Sequence, residues 1–145
     1  MFRGTTAINL DAKGRLTIPT RYRDLLRQQC QGQLVCTLDM SLPCLLLYTL
    51  PQWQLIEQKL NGLSDFIEDE RVVKRLLLGN ARDCEMDRNG RVLLSTPLRG
   101  LANLDKKLMM VGQVNKFELW DESTWSAQMQ RDLQRVQAID FETSE

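Results

Sequence analysis

The sequence predicts an α+β protein made of two similar halves that share one core. The chain has 145 residues, of which 43% are hydrophobic and 26% charged, enough for one ordinary domain or two very small ones. Short alternating segments typical of strands are interspersed with segments of helical periodicity. The same motif recurs in both halves, and a half-chain of this size is too small to bury a good core alone. Two units around one core are therefore expected.

An internal repeat relates the halves. Residues 10–16, Leu-Asp-Ala-Lys-Gly-Arg-Leu, recur 76 positions later as residues 86–92, Met-Asp-Arg-Asn-Gly-Arg-Val. Pro19 departs from the pattern, because its counterpart is Ser95. Farther along the offset becomes 72, where Leu45, Leu47, Tyr48 and Trp53 match Phe117, Leu119, Trp120 and Trp125. We divide the chain into a first repeat (1–64), a connecting helix (65–79), a second repeat (80–138) and an acidic tail (139–145).

Each repeat is predicted to run from a hairpin through a short helix and two strands to a second helix. The first repeat has strands expected over 6–10, 16–18, 33–39 and 44–48, and helices over 21–28 and from about residue 49. Thr49 and Gln52 form a capping pair with Pro51 in the first turn. The apolar face of this helix is Trp53, Ile56, Leu60 and Leu63. The second repeat follows the same order and closes with a helix from about Glu122 to Ala138.

The connecting helix has end signals of its own. Asp65 and Glu68 have the spacing of a capping box, and acidic residues occupy the first turn. Basic residues (Arg71, Lys74, Arg75) are expected in the last turn, with Gly79 ending the helix. From Ile139 onward the chain is acidic and aperiodic, which is typical of a frayed tail.

Charge is balanced over the whole chain but alternates along it. Lysine plus arginine and aspartate plus glutamate both number 19. Segments 1–27 and 71–107 carry net charges of +4 and +5, whereas segments 28–70 and 108–145 carry −5 and −4. Folding could bring the two basic segments to one face, which would suit a phosphate-bearing partner. The other interpretation is a solvated surface on which the sign of the charge alternates without a binding role.

The repeated Asp-x-x-Gly-Arg motif predicts a tight hairpin in each repeat. Asp at the first turn position and Gly at the fourth suit a type I turn closed by a glycine with positive φ. The hairpin residues are therefore Asp11 and Gly14 in the first repeat, and Asp87 and Gly90 in the second. Each aspartate carboxylate can accept hydrogen bonds from N–H groups of its own turn.

Arg15 and Arg91, which follow the hairpin glycines, are the predicted DNA-binding residues. An arginine fork on a stiff turn can donate to guanine O6 and N7 together. Lys13 and Arg88 add positive charge near the loop tips, where phosphates can be contacted. The alternative is an Asp–Arg surface pair that only braces the hairpin. The recurrence of the motif in both basic segments favours DNA contact.

Composition narrows the possible functions. Histidine is absent, which removes Ser-His and Cys-His nucleophile pairs and the commonest metal ligand. The four cysteines form no C-x-x-C pair and are interpreted as buried thiols, so no metal site and no cofactor are expected. No apolar run could span a membrane, and no signal peptide is evident, so a cytoplasmic protein is expected. Four aromatic residues stand at repeat-equivalent positions, and we interpret them as core residues in preference to interface anchors or base-stacking platforms. They are Tyr48, Trp53, Trp120 and Trp125.

Six segments together resemble the MraZ family of bacterial transcriptional regulators, which belongs to the AbrB-like swapped-hairpin class. The resemblance covers residues 1 to about 138. Both hairpin motifs, at 11–15 and 87–91, are intact. The other segments are Met1–Gly4, Leu45–Tyr48, Arg75–Gly79 and Asn115–Trp120.

The resemblance implies two AbrB-like repeats that form one pseudo-symmetric swapped-hairpin β-barrel flanked by helices. It also implies ring-shaped homo-oligomers in the cytoplasm, associated with the nucleoid. Their partner would be double-stranded DNA, bound at short G-rich direct repeats in the promoter of the division and cell-wall gene cluster, which includes their own gene, usually with repression. The family's DNA-contacting arginine falls on Arg15 and its repeat on Arg91, and Arg3 lies close to the first motif in sequence.

Two other classes of function compete with DNA binding. A ring-shaped scaffold could bind other proteins through its helices without reading DNA, and the helix over 122–138 has an apolar and acidic face that would serve it. An enzyme with a small-molecule substrate is disfavoured, since no histidine, Gly-rich phosphate loop or repeated carboxylate pair occurs.

Overall fold

The computed structural model describes residues 1–139, which form five α-helices and eight β-strands. The α+β class is confirmed. The first repeat contains β1 (Thr5–Asn9), β2 (Arg15–Thr17), α1 (Thr20–Cys30), β3 (Gln33–Leu38), β4 (Leu45–Thr49) and α2 (Leu50–Asn61). Helix α3 (Glu68–Gly79) connects it to the second repeat, which contains β5 (Arg82–Glu85), β6 (Arg91–Leu93), α4 (Thr96–Leu101), β7 (Lys107–Gly112), β8 (Lys116–Asp121) and α5 (Glu122–Ala138).

The two repeats exchange strands. Six strands form an antiparallel sheet in the order β1-β7-β8-β4-β3-β5, so β1 pairs with a strand of the second repeat and β5 with a strand of the first. Strands β2 and β6, one from each repeat, form a separate two-stranded ladder. A closed barrel is not confirmed, because β1 and β5 are the two edges of an open sheet. A single bridge, between Leu10 and Leu16, joins the strands of the first hairpin, since β2 turns away to pair with β6.

One hydrophobic core is common to both repeats, as the repeat pattern predicts. Leu16 and Val92 lie opposite each other in the β2–β6 ladder and are fully buried on its inner face. Central strands β4 and β8 add Leu45, Leu47, Phe117 and Leu119 to the same cluster. The four cysteines are buried and unpaired, which confirms their interpretation as core thiols. The aromatic prediction is also confirmed, since Tyr48, Trp53 and Trp120 are buried and Trp125 packs against Trp120.

The repeats differ where their helices begin. Pro19 is the N-cap of α1 and offers no side-chain hydrogen bond, whereas its counterpart Ser95 caps α4 by accepting from Leu98 N at 3.4 Å. Helix α1 has eleven residues and α4 only six. The predicted cap of α2 is confirmed, because the Thr49 side chain accepts from Gln52 N.

The predicted capping box of the connecting helix is wrong. Helix α3 begins at Glu68, its N-cap is Ile67, and no side chain caps it. Asp65 instead pairs with Lys74 across 2.8 Å, an interaction that draws the aspartate away from the helix start. Glu68 and its two acidic neighbours occupy the first turn as expected, but no basic residue lies in the last turn. The chain continues from Gly79 through Asn80 in a right-handed conformation.

Helices α2 and α5 close their repeats in equivalent places but are covered differently. The apolar face of α2 packs into a cluster with Val35, Leu46 and Tyr48, against which Leu77 of α3 also packs. Helix α5 spans the predicted range and contacts β7 and β8. Its residues from Met129 onward are exposed. Ile139 follows α5 in a bend, and residues 140–145 of the predicted tail lie outside the described part of the chain. No helix within residues 1–139 is both long and apolar enough to cross a bilayer.

Candidate nucleic-acid interface

The first hairpin forms the predicted turn. Gly14 has a φ of +86°, and its N–H donates to Asp11 O at 3.0 Å. Asp11 N donates to Arg15 O at 2.8 Å and closes the hairpin. The Asp11 carboxylate accepts from Lys13 N at 2.9 Å and from Arg15 N at 2.8 Å. The aspartate thus holds the loop from inside, as its place in the motif predicts.

The second hairpin repeats this geometry. Gly90 has a φ of +78° and donates its N–H to Asp87 O at 3.0 Å. The Asp87 carboxylate accepts from Asn89 N at 2.9 Å and from Arg91 N at 2.8 Å. Two turns from different repeats therefore present an arginine at the same position, immediately after a left-handed glycine.

These hydrogen bonds lower the pKa of both aspartates. The backbone N–H of Arg15 is the largest cause at Asp11, and the Arg15 side chain and Lys13 N–H act in the same direction against desolvation. At Asp87 the pKa is lowered first by the backbone N–H of Arg91 and then by that of Asn89. Both carboxylates are therefore ionised at neutral pH, and each stands beside an arginine.

The β2–β6 ladder brings the two arginines to one face. Arg15 pairs in register with Leu93, and Thr17 pairs with Arg91. Because alternate residues of a strand point to opposite faces, these four side chains share the outer face of the ladder. The two arginines are diagonal neighbours, and such positions have Cα atoms about 7–8 Å apart.

The guanidinium group of Arg15 is held at Nε only, and that of Arg91 is not held by a hydrogen bond at Nε. Arg15 Nε donates to Asp11 Oδ2 at 2.9 Å, and its terminal Nη atoms donate to no acceptor in residues 1–139. Arg91 Nε lies 3.5 Å from Asp87 Oδ2, is shielded from solvent, and has no hydrogen-bond partner among the described residues. Both side chains are about one-third exposed, at 30% and 35%. Arg15 therefore braces its hairpin through Nε and still has a guanidinium edge that is available to a ligand.

The other predicted residues are placed unequally. Lys13 and Arg88 are exposed on the two hairpin loops, beside the ladder. Arg3 is exposed too, but it precedes β1 whereas the hairpin follows it. The five residues of β1 correspond to roughly 17 Å of extended chain. Arg3 is thus separated from the first hairpin by the length of β1 along the chain.

Two arginines that support the hairpins were not predicted from the sequence. Arg23 of α1 donates through Nε to Ile18 O at 2.8 Å, and its counterpart Arg99 of α4 donates to Leu94 O at 3.2 Å. Each contacts the hairpin glycine of the other repeat, Arg99 at Gly14 and Arg23 at Gly90. The sequence shows that Arg23 and Arg99 are equivalent at the 76-residue offset. It does not show that each of them supports the hairpin of the other repeat. Arg27 of α1 also reaches the second hairpin, donating to Arg88 O at 3.1 Å.

A family comparison agrees with the repeated architecture. The sequence profile of the family described as "MraZ protein, putative antitoxin-like" matches the chain twice, over residues 1–76 and 77–143. The chain belongs to the MraZ family. Both matches contain a hairpin motif, so each of the two MraZ segments supplies one arginine of the ladder.

Full-length MraZ relatives support the same assignment. A protein of Serratia proteamaculans and one of Idiomarina loihiensis are each 57% identical over all 145 residues, which cover 95% of each relative. A protein of Erwinia tasmaniensis is 59% identical over 133 residues, covering 92% of this chain and 88% of the relative. All three are named transcriptional regulator MraZ.

One group of side chains in this MraZ chain has the composition of a metal site. The candidate ligand atoms of Asp39, Cys44 and Glu118 lie within 4.8 Å of one another. Asp39 already accepts from two backbone N–H groups, and Glu118 accepts from Trp120 Nε1 at 2.9 Å. Burial, then the charges of Glu118 and Asp39, raise the pKa of the Cys44 thiol. A protonated thiol is a poor metal ligand.

Proposed function

We propose that this protein is a DNA-binding transcriptional regulator that reads short G-rich direct repeats with its β2–β6 ladder. The observation that carries the proposal is the pair Arg15 and Arg91 on one exposed face. Arg15 is anchored at Nε by Asp11 and keeps both Nη atoms available. The proposed effect is repression of the promoter of the division and cell-wall genes, including the protein's own gene, as in the family that the chain resembles.

The chemistry of the ladder suits the major groove. A two-stranded antiparallel ribbon fits a groove about 12 Å wide, in which guanine presents O6 and N7 as neighbouring acceptors. A guanidinium fixed at Nε needs less ordering when it meets the base. Lys13 and Arg88, exposed on the loops, would contact phosphates beside the groove. Arg3 would contact the phosphate backbone farther from the ladder.

We propose further that copies of the chain assemble into a ring, in which each subunit has the swapped-hairpin arrangement of the repeats 1–64 and 80–138. The exchange of β1 and β5 between repeats supports the swapped arrangement. Double-stranded DNA and other copies of the chain are the proposed partners, and the bacterial cytoplasm and nucleoid the proposed location. A single short box gives few contacts, whereas linked contacts raise avidity by about 10² to 10⁴ when the geometry permits.

The test measures binding to a duplex from the region upstream of the protein's own gene, with a scrambled duplex for comparison. Arg15→Ala is expected to abolish the preference for the native duplex, because a bidentate guanine contact contributes about 1–3 kcal/mol of discrimination. Arg15→Lys keeps the charge and should retain only binding that both duplexes share. Arg135→Ala, an exposed arginine on α5, is the matched control.

The decisive outcome concerns a folded variant. Circular dichroism and light scattering establish that Arg15→Ala keeps the fold and mass of the wild type. If that variant then binds the native duplex as tightly as the wild type does, the proposed readout is wrong. Affinity that does not fall as salt concentration rises would favour the alternative of a protein-binding scaffold, because phosphate contacts release counterions. The observation that favours this alternative is the set of exposed apolar side chains on α5, which could bind another protein.

A further inference from the structure

A cavity of about 330 Å³ lies between the sheet and helices α2 and α3 of the first repeat. Small-molecule sites have volumes of about 300–1,000 Å³ and mostly apolar linings. The lining from β4, α2 and α3 is apolar or aromatic: Leu46, Tyr48, Trp53, Ile56, Leu60 and Leu77. Leu45 and Leu47 point into the shared core, so Leu46 and Tyr48 face the other side of the sheet. The sheet therefore separates this cavity from the β2–β6 ladder, which packs on the shared core.

The Tyr48 hydroxyl is a polar group without a partner in this lining. Tyr48 is only 7% exposed, and its hydroxyl makes no hydrogen bond within residues 1–139. Its counterpart in the second repeat, Trp120, donates from Nε1 to Glu118 at 2.9 Å. Buried polar groups are hydrogen-bonded as a rule. A hydroxyl of a cavity-lining residue that lacks a protein partner is available to a ligand in that cavity.

Two opposite charges also border the cavity. Asp39 accepts from the N–H groups of Ser41 and Leu42 through Oδ1, and its Oδ2 has no hydrogen-bond partner in the described chain. Lys59 of α2 is exposed and pairs with no carboxylate among the described residues. Burial, and then the charge of Asp39, raise the pKa of Tyr48, so the hydroxyl stays protonated and can donate. A carboxylate, a hydroxyl and an ammonium group thus surround one apolar space.

The second repeat does not build this lining. Three of the apolar residues have polar counterparts at the 72-residue offset, where Glu118, Gln128 and Asp132 stand in place of Leu46, Ile56 and Leu60. The two repeats nevertheless share one order of strands and helices. The fold of a repeat therefore does not require the cavity, and its lining is a property of the first repeat.

We propose that this cavity binds an α-amino acid with a large apolar side chain. The side chain of the ligand packs against Trp53, Ile56 and Leu60. The ligand ammonium group donates to Asp39, and the ligand carboxylate accepts from the Tyr48 hydroxyl and from Lys59. A purely apolar ligand would leave the hydroxyl and both charges without partners. A ligand with a single charge would meet a like charge at either Asp39 or Lys59.

The first test is a titration of the ¹⁵N-labelled full chain with L-phenylalanine and with L-leucine, followed by NMR. The indole N–H signal of Trp53, assigned with Trp53→Phe, is expected to shift in a saturable manner. The signal of Trp125, its counterpart on α5, should stay in place. Absence of a saturable shift at about 10 mM of either amino acid would overturn the proposal, because a site with a Kd of about 1 mM is then nearly filled.

Two analogues test the class of ligand. Phenethylamine lacks the carboxylate of phenylalanine, and 3-phenylpropionate lacks the ammonium group. Each is expected to bind about tenfold more weakly than phenylalanine or worse, because each loses a charge-assisted contact. If either analogue binds as tightly as phenylalanine, the ligand is not a zwitterion and the assignment to amino acids is wrong.

Variants test the location. Tyr48→Phe and Lys59→Met each remove one polar contact and should weaken the binding of phenylalanine about tenfold. Ile56→Trp fills the cavity and should abolish binding. Arg131→Met, at the counterpart of Lys59 on α5, is the matched control and should bind as the wild type does.

Thermal melting establishes that each variant is folded. Wild-type affinity for phenylalanine in folded Tyr48→Phe and Lys59→Met would show that the amino acid binds elsewhere and would overturn the proposal, even if Ile56→Trp does not fold. No step of this test uses DNA, so its result is independent of the proposed readout by the ladder.

Discussion

Arg99 of the second repeat lies directly against Gly14 of the first, where a Cβ atom would fall 2.7 Å from the guanidinium carbon. Leu94, whose carbonyl accepts from Arg99 Nε, in turn donates its N–H to Gly14 O at 2.9 Å. The mirrored contact joins Arg23 to Gly90, and Ile18 N donates to Gly90 O at 2.7 Å. Each hairpin is thus held by the other repeat.

Replacing Gly14 should disable the first hairpin. Gly14→Val introduces a β-branched side chain at a φ of +86° and displaces the Arg99 guanidinium, so both the turn and its support are lost. We expect a lower melting temperature and weaker binding to the native promoter duplex. Gly79→Ala is the control, because Gly79 ends helix α3 with open space around it. Wild-type melting and binding in Gly14→Val would contradict the turn described for residues 11–15.

Acid should loosen the two hairpins. The pKa values of Asp11 and Asp87 are lowered in the folded state, so their contribution to stability is present above the unfolded pKa of about 3.9 and is lost as pH falls through the folded values. Carboxyl carbon chemical shifts should titrate below the usual range for aspartate at both positions. Amide exchange at Arg15 and Arg91 should become faster in the same pH interval. Titration of both groups at or above 3.9 would show that the carboxylates do not hold the turns in solution.

The two hairpins should differ in stiffness. Asp11 receives three hydrogen bonds, including one from Arg15 Nε, whereas Arg91 Nε stands 3.5 Å from Asp87 and makes none. Asp11→Ala should therefore reduce promoter affinity more than Asp87→Ala does. Binding curves on one duplex give the loss of affinity for each variant. The double variant shows whether the two losses add. Equal losses would mean that the Nε contact adds nothing to readout.

Affinity should increase with the number of DNA boxes. The proposed ring would present several ladders, so duplexes with one, two and three boxes should bind progressively more tightly, with a total gain of about 10² to 10⁴. Competition at constant duplex length isolates this effect, because the number of phosphates is then the same. One-box affinity equal to three-box affinity would exclude avidity as the mechanism.

Much of the fold could be predicted from local patterns. The hairpin turns follow from aspartate and glycine at fixed spacing, and α5 from its periodicity, because turn and helix preferences are properties of a few neighbouring residues. The single core follows from the small size of each repeat. The capping-box prediction failed because Asp65 found a partner nine residues away, in Lys74. Competition of this kind depends on tertiary contacts and has no local signal.

The candidate site was predictable in its residues but not in its assembly. Arg15 and Arg91 are marked by the repeated motif, and only the pairing of β2 with β6 makes them neighbours on one face. The same pairing explains why Arg23 and Arg99 were missed. They lie eight residues beyond each motif arginine in sequence, yet each supports the opposite hairpin. When two repeats are similar, a strand has two nearly equivalent partners, one in each repeat. The sequence pattern alone does not decide which of them it pairs with.

In the proposed complex, the outer face of the ladder would give the molecule a direction on DNA. The repeat relates Arg15 to Arg91, so a fully symmetric face would read a palindrome equally from either end. Thr17 and Leu93 are also repeat-equivalent, but one ends in a hydroxyl and the other in an apolar side chain that is 58% exposed. A hydroxyl can bond to a base edge, whereas leucine suits the methyl group of thymine. Under the proposed readout a subunit has a front and a back along the duplex, and the sites that it binds best would all point the same way, as tandem copies do and inverted copies do not.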